Sequence, residues 1–175
     1  MLGSMVSNFW LINLVIFQSV WWLSALFTHQ ALVGVIVLLA LHFALSPSRK
    51  ADLSSLMVLP VGLLVDQALA AAGVIQFAGN QPWLPVWLAF LWVHFTLTLN
   101  HSLSWLGRCH LGVQSLLGAV FGALSYIGGI KLGALDSALS VFNLFIVFGA
   151  VWAVVLPLVV HLNSRFVAKT GVQHV

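Results

Sequence analysis

Charge is what this sequence has least of: six Lys and Arg, three Asp and Glu, together 5% of 175 residues. Soluble domains carry roughly 25%, so a water-facing surface able to enclose a soluble core is excluded. Cysteine occurs once, at Cys109, which excludes an intrachain disulfide, and no Cys/His spacing matches a zinc or iron–sulfur motif. Neither a metal nor a cofactor is therefore expected. Met1 to Asn8 carry no Lys or Arg, and the apolar run that follows lacks an Ala-x-Ala-like end, so it reads as a retained span and not as a cleaved signal peptide.

What is there is apolar: 62% hydrophobic residues and a mean hydropathy of +1.12. The expectation is an all-α polytopic membrane protein with one transmembrane domain over residues 1–175. A net charge of +3 and a pI near 9.6 do not make nucleic acid a partner, because the basic residues are scattered over loops and tail.

A span takes about 20 mostly apolar residues, and six segments fit: 8–27, 30–46, 53–75, 83–106, 111–130 and 137–162. Short connections separate them, with turn signals at Pro47-Ser48-Arg49-Lys50 and Gly79-Asn80-Gln81-Pro82. Trp10, Trp21, Trp22, Trp83 and Trp105 fall near span ends, as in an aromatic belt. Six spans place Arg49, Lys50, Arg108, Arg165 and Lys169 on one side and Lys131 on the other. Basic loops stay in the cytoplasm, so both termini are expected there. Gly118-x-x-x-Gly122, Ser125-x-x-x-Gly129 and Ala68-x-x-x-Ala72 give small-residue faces for close packing, within the chain or between two copies. Pro60 and Pro157 are expected to kink their helices.

Polar groups inside such spans need a partner, a cavity or a role, because lipid offers no hydrogen bonds. At 100° per residue, Trp87, His94, Thr98, His101 and Trp105 share one face of the fourth span, with Asn100 and Ser104 beside them. At 1.5 Å per residue, His94 and His101 are about 10 Å apart, too far to bind one ion together. Asp66 is the lone acid of the expected membrane interior, and both it and His94 lie roughly 14–17 Å deep. The two are expected to meet across the hairpin of the third and fourth spans. Gln18, His42 and Gln67 join them in a midplane set. A second set, Asn100, His101, Arg108 and Tyr126, lies toward the cytoplasm and suits an anionic lipid head group; Asn13, His110, Gln114 and His161 lie nearby.

The segment Thr98-Leu-Asn-His-Ser-Leu-Ser-Trp105 resembles a family of small bacterial inner-membrane proteins defined as a domain of unknown function. The resemblance extends over Asn13 with Phe17-Gln18 and Trp21 or Trp22, over Asp66-x-x-Leu69-x-x-x-Gly73-Val-x-x-Phe77, and over Gly118-Ala-Val-x-Gly122-x-Leu-Ser-Tyr126 followed by Lys131-Leu-Gly-Ala134. Where the family often has proline, this chain has Ala123. The resemblance implies a multi-pass protein of the bacterial inner membrane, associated with enzymes that modify membrane lipids. By motif match it also implies roles for Gln18, Asp66, Asn100, His101, Ser102, Trp105, Ser125 and Tyr126.

The leading functional expectation is binding or modification of a lipid or hydrophobic small molecule at an intramembrane polar cavity. A proton-transfer role would fall to His101 or to the Asp66–His94 pair. No serine carries a base-and-orienter signature, so the enzyme question stays open. A proton-coupled transporter, a haem held by His42 and His94, and an accessory subunit without its own site are the alternatives. Membrane lipid is the expected partner, and a second copy of the chain or another membrane protein is left open.

Overall fold

A computed structural model of the protein describes residues 8–79 and 81–169. The expected retention of Met1 to Asn8 as a lead-in, and Asn80 of the expected turn, fall largely or wholly outside the described residues. Helix α1 (Phe9–Phe27) is joined to α2 (Leu32–Leu45) by a 3₁₀ turn, Thr28–Ala31. The Phe9 ring lies 5.4 Å from the His42 ring, so the start of α1 meets the end of α2 and the two form a hairpin. Thr28 makes the reversal at a φ of 45°, the one non-glycine residue with positive φ among those described.

α3 (Arg49–Ala71) begins four residues before the expected boundary, which draws Asp52 out of the expected loop and into a helix. It tightens to 3₁₀ at Leu56–Val58, immediately before Pro60. Proline lacks an N–H and its ring crowds the carbonyl four residues back, so the helix gives way there. α4 (Val86–Thr98) stops well short of the expected end at 106. α5 (Leu111–Lys131) carries a π turn at Gly118–Gly122, and α6 (Val141–Ala168) runs through Pro157. Two short strands that the hydropathy pattern hides, β1 (Gln76–Phe77) and β2 (Leu135–Asp136), pair antiparallel and tie the α3–α4 connection to the α5–α6 connection.

Four helical stretches are long and apolar enough to cross a membrane: Phe9–Leu45, which contains the α1–α2 hairpin, then α3, α5 and α6. α4 is apolar but shorter. The all-α class holds, and the outward faces carry many bare apolar side chains, including Val33, Leu64 and Val154. Such a surface is stable against lipid and costly in water. Of the five tryptophans expected near span ends, Trp10, Trp22, Trp83 and Trp105 are exposed, while Trp21 is half-buried and turns toward Ser125.

The core joins α3–α6 through aromatic stacking. Trp92 of α4 stacks on Trp152 of α6 at 5.5 Å, and Tyr126 of α5 on Phe148 at 4.5 Å. The small-residue faces divide. A Cβ on Gly118 would stand 2.2 Å from the Trp152 carbonyl oxygen, and one on Gly122 the same distance from the Trp152 indole, so this pair packs α5 onto α6 within the chain. Gly129 has nothing within 4 Å of its would-be Cβ, and Ala68 and Ala72 are exposed.

Candidate functional site

α4 ends at Thr98 because the residues that follow offer the backbone competing hydrogen bonds. The Thr98 hydroxyl donates to the Phe95 carbonyl at 2.6 Å, while the Thr98 carbonyl accepts from the N–H groups of His101 (3.0 Å) and Leu103 (2.8 Å). The chain then passes through turns to a 3₁₀ segment, Ser104–Arg108. The expected continuous face from His94 to Trp105 is thus overturned beyond Thr98. Non-helical backbone is tolerated at such a place where protein covers it. Asn13 of α1 supplies that cover, accepting from the Ser102 N–H (3.2 Å) and hydroxyl (2.5 Å).

The break swings His101 onto Asp52, where a polar centre forms from three separate segments. Asp52 is fully buried. His101 Nε2 lies 2.7 Å from one carboxylate oxygen and His42 Nε2 lies 3.2 Å from the other. The Ser46 hydroxyl donates to the oxygen that faces His42, and Asn100 Nδ2 to the oxygen that faces His101, at 3.3 Å. Asn100 is held in turn by Ser55 Oγ (2.6 Å) and by Asn163 Nδ2 of α6, which donates to its carbonyl at 3.1 Å. The Phe9 ring stands edge-on to both imidazoles, at 5.4 and 4.6 Å. The ligand atoms of His42, Asp52 and His101 all lie within 4.8 Å of one another, which makes this the group of described residues able to hold a metal ion.

A second centre surrounds Asp66, some fourteen residues and therefore about 21 Å farther along α3. Asp66 is also fully buried. Trp92 Nε1 donates to one oxygen at 2.6 Å and the Tyr126 hydroxyl to the other. A Cβ on Gly62 would sit 2.2 Å from the Trp92 indole, so Gly62 and Asp66, one turn apart, form a slot with a floor and an acceptor. Beside this centre is a cavity of about 80 Å³ between α1 and α5, backed by α4 and walled by Phe17, Trp21, Trp87, Trp92, Tyr126 and Trp152. Trp21 Nε1 donates to Ser125 Oγ at 2.8 Å across its rim. Trp87 Nε1 is buried with no hydrogen-bond partner among the described residues.

The two sets expected from the sequence are therefore redistributed. The Asp66–His94 pair does not form: His94 Nε2 lies 3.2 Å from the Val35 carbonyl of α2 instead. Trp92 and His94 stand two residues apart, about 200° around the helix, so only one of them can face α3. His42 leaves the midplane set for Asp52, and Tyr126 leaves the head-group set for Asp66. Gln18 is exposed on α1. Gln67 clamps the α3–α4 connection, its Nε2 donating to the Pro82 carbonyl and its Oε1 accepting from Leu84 N–H, both at 2.9 Å. Arg108 is exposed and does not join Asn100 or His101.

Asp52, Ser46 and Trp92 carry the two centres and were missed. One signal for Asp52 was available: His42 and Asp52 each lie five residues from Pro47, and residues equidistant from a tight helical turn face each other.

No curated protein and no solved structure matches the chain. A family model described as Protein of unknown function (DUF2878) matches residues 10–158, which take in His42, Asp52 and His101, Asp66 with Trp92 and Tyr126, and the break after Thr98. The chain belongs to that family of uncharacterised proteins, DUF2878.

Proposed function

We propose that the protein is a six-span protein of the bacterial inner membrane, with both termini in the cytoplasm, that binds the chain of a lipid or similar hydrophobic molecule in the aromatic cavity beside Asp66. The observation that carries this reading is the cavity itself: about 80 Å³, walled by indole and phenyl rings, with the Asp66–Tyr126 pair at its edge. An apolar cavity of about 150 Å³ takes benzene, so this one admits the end of an acyl chain and leaves the rest of the molecule in the bilayer. Trp21 and Ser125, hydrogen-bonded to each other, are part of the cavity's wall. Binding of this kind uses a small number of fixed polar groups in a mostly apolar wall, and Tyr126, held by Asp66 behind it, Ser125 and the Trp87 N–H supply them.

Six crossings and the cytoplasmic placement of both termini are supported by the α1–α2 hairpin and by the grouping of basic residues. Arg49, Lys50, Arg108, Arg165 and Lys169 belong to the end of the bundle that holds the Asp52 centre, and Lys131 to the end that holds β1 and β2.

Gly129→Leu tests the cavity, because Gly129 lines it and a Cβ there meets nothing within 4 Å, so the larger side chain grows into the cavity space. Native mass spectrometry of detergent-extracted protein is expected to show retained lipid on the wild type and at least several-fold less on the variant. Equal retention by the two proteins would sink the proposal.

The broken α4 favours a second reading, a small proton-coupled transporter, since interrupted helices at polar sites are a transporter feature. Substrate-independent, pH-insensitive proteoliposomes that respond identically with wild type and Asp52→Asn would count against it.

A further inference from the structure

We infer that His42, Asp52 and His101 form a binding site for one divalent transition-metal ion of the zinc class. The donor set is two imidazoles and one carboxylate, the combination that holds such ions with a coordination position left open. Bonds of about 2.0–2.2 Å set ligand atoms roughly 3–4 Å apart. His42 stands 3.2 Å from one carboxylate oxygen and His101 2.7 Å from the other, so an ion between the imidazoles draws on both oxygens of Asp52, with the His101 side widening by a few tenths of an ångström. All three ligand atoms lie within 4.8 Å of one another.

Two further observations set this centre apart from an ordinary buried hydrogen-bond cluster. Its carboxylate has supporting partners on both oxygens, Ser46 and Asn100, and Asn100 is itself anchored by Ser55 and by Asn163 of α6. Outer partners of that kind hold metal ligands in place. Among the described residues no Lys or Arg reaches Asp52; Arg49, three residues before it, donates to the Ala44 carbonyl at 3.0 Å. With neutral imidazoles the centre carries one buried negative charge, which a bound cation offsets. The His101 side chain is 7% exposed and sits in the non-helical segment at the end of the bundle, which gives an ion a way in.

The site is independent of the proposed lipid cavity, about 21 Å away along α3, so either assignment can fail without the other. The test is Co2+ titration of chelator-stripped protein purified in detergent without a histidine tag, read by visible d–d absorption, with Zn2+ as competitor. One Co2+ per chain, displaced by Zn2+, is expected for the wild type. Asn100→Ala, which removes an outer partner and no ligand, is expected to weaken binding about 10–100-fold. Asp52→Asn and His101→Ala are expected to abolish the band, while His161→Ala, at an exposed position, leaves it unchanged. Folded wild-type protein that gives no d–d band, or a band that survives both Asp52→Asn and His101→Ala, overturns the assignment. The wild-type spectrum alone decides the first of these, so a variant that fails to fold does not protect the idea.

Discussion

Asp66 is a buried carboxylate held by a phenol and an indole, with no cation on it among the described residues. A donor removed from such a group leaves the full desolvation cost exposed, about 1–3 kcal/mol. Tyr126→Phe keeps the ring against Phe148 and deletes only the hydroxyl, so thermal unfolding in detergent is expected to show a loss in that range. Tyr126→Phe combined with Asp66→Leu removes acceptor and donor together, and the pair is expected to be less destabilised than the sum of the single changes. Strict additivity would mean that the hydroxyl and carboxylate do not act on each other. Depth along the helices was legible in the sequence, because rise per residue is fixed, and it brought α4 to Asp66 within one turn. The facing residue was not: a two-residue difference reverses the side of the helix, and nothing local to Trp92 or His94 says which one turns toward α3. Gly62 settles it, since only a residue without a side chain lets the indole lie that close.

Among the elements, the packing of α5 on α6 was readable as a small-residue repeat, whereas the end of α4 was not. A window wide enough to find a span averages Asn100-His101-Ser102 into the apolar run around them, so hydropathy does not distinguish a helix from a turn that neighbouring helices cover. The serine, threonine and asparagine content of 96–104 is the physical cause of the break. Gly118 and Gly122 make the readable part testable. An added Cβ at Gly118 meets the Trp152 backbone oxygen, which cannot swing aside, whereas at Gly122 it meets the indole, which can shift at the cost of its stacking on Trp92. Gly118→Ala is therefore expected to be the more damaging, each costing about 1–3 kcal/mol by overpacking. Gly129→Ala meets nothing and is expected to be neutral or stabilising by up to ~1 kcal/mol through helix propensity. Unfolding midpoints that rank the three glycines in any other order would contradict the packing described.

At the scale of the whole molecule, the two polar centres lie toward opposite ends of α3, and the basic residues are gathered at the Asp52 end. Positive charge resists translocation, so the bundle has a polarity that the membrane reads. Cys109 makes the orientation measurable, because it is the single cysteine, is partly exposed, and precedes α5, while the exposed Lys131 closes the same helix. In spheroplasts, a membrane-impermeant maleimide is expected to leave Cys109 unlabelled until the cells are lysed. In a Cys109→Ser background, Lys131→Cys is expected to be labelled in intact spheroplasts. The opposite pattern would place the Asp52 end outside and invert the proposed topology while leaving the crossings in place. Labelling of both positions from one side would mean that α5 does not cross, despite its 21 residues. That length gives about 31 Å of helix, against a hydrocarbon core of about 30 Å, and the π turn at its centre shortens it slightly. The match leaves no spare turn, so a crossing α5 is expected to place Cys109 and Lys131 at opposite faces.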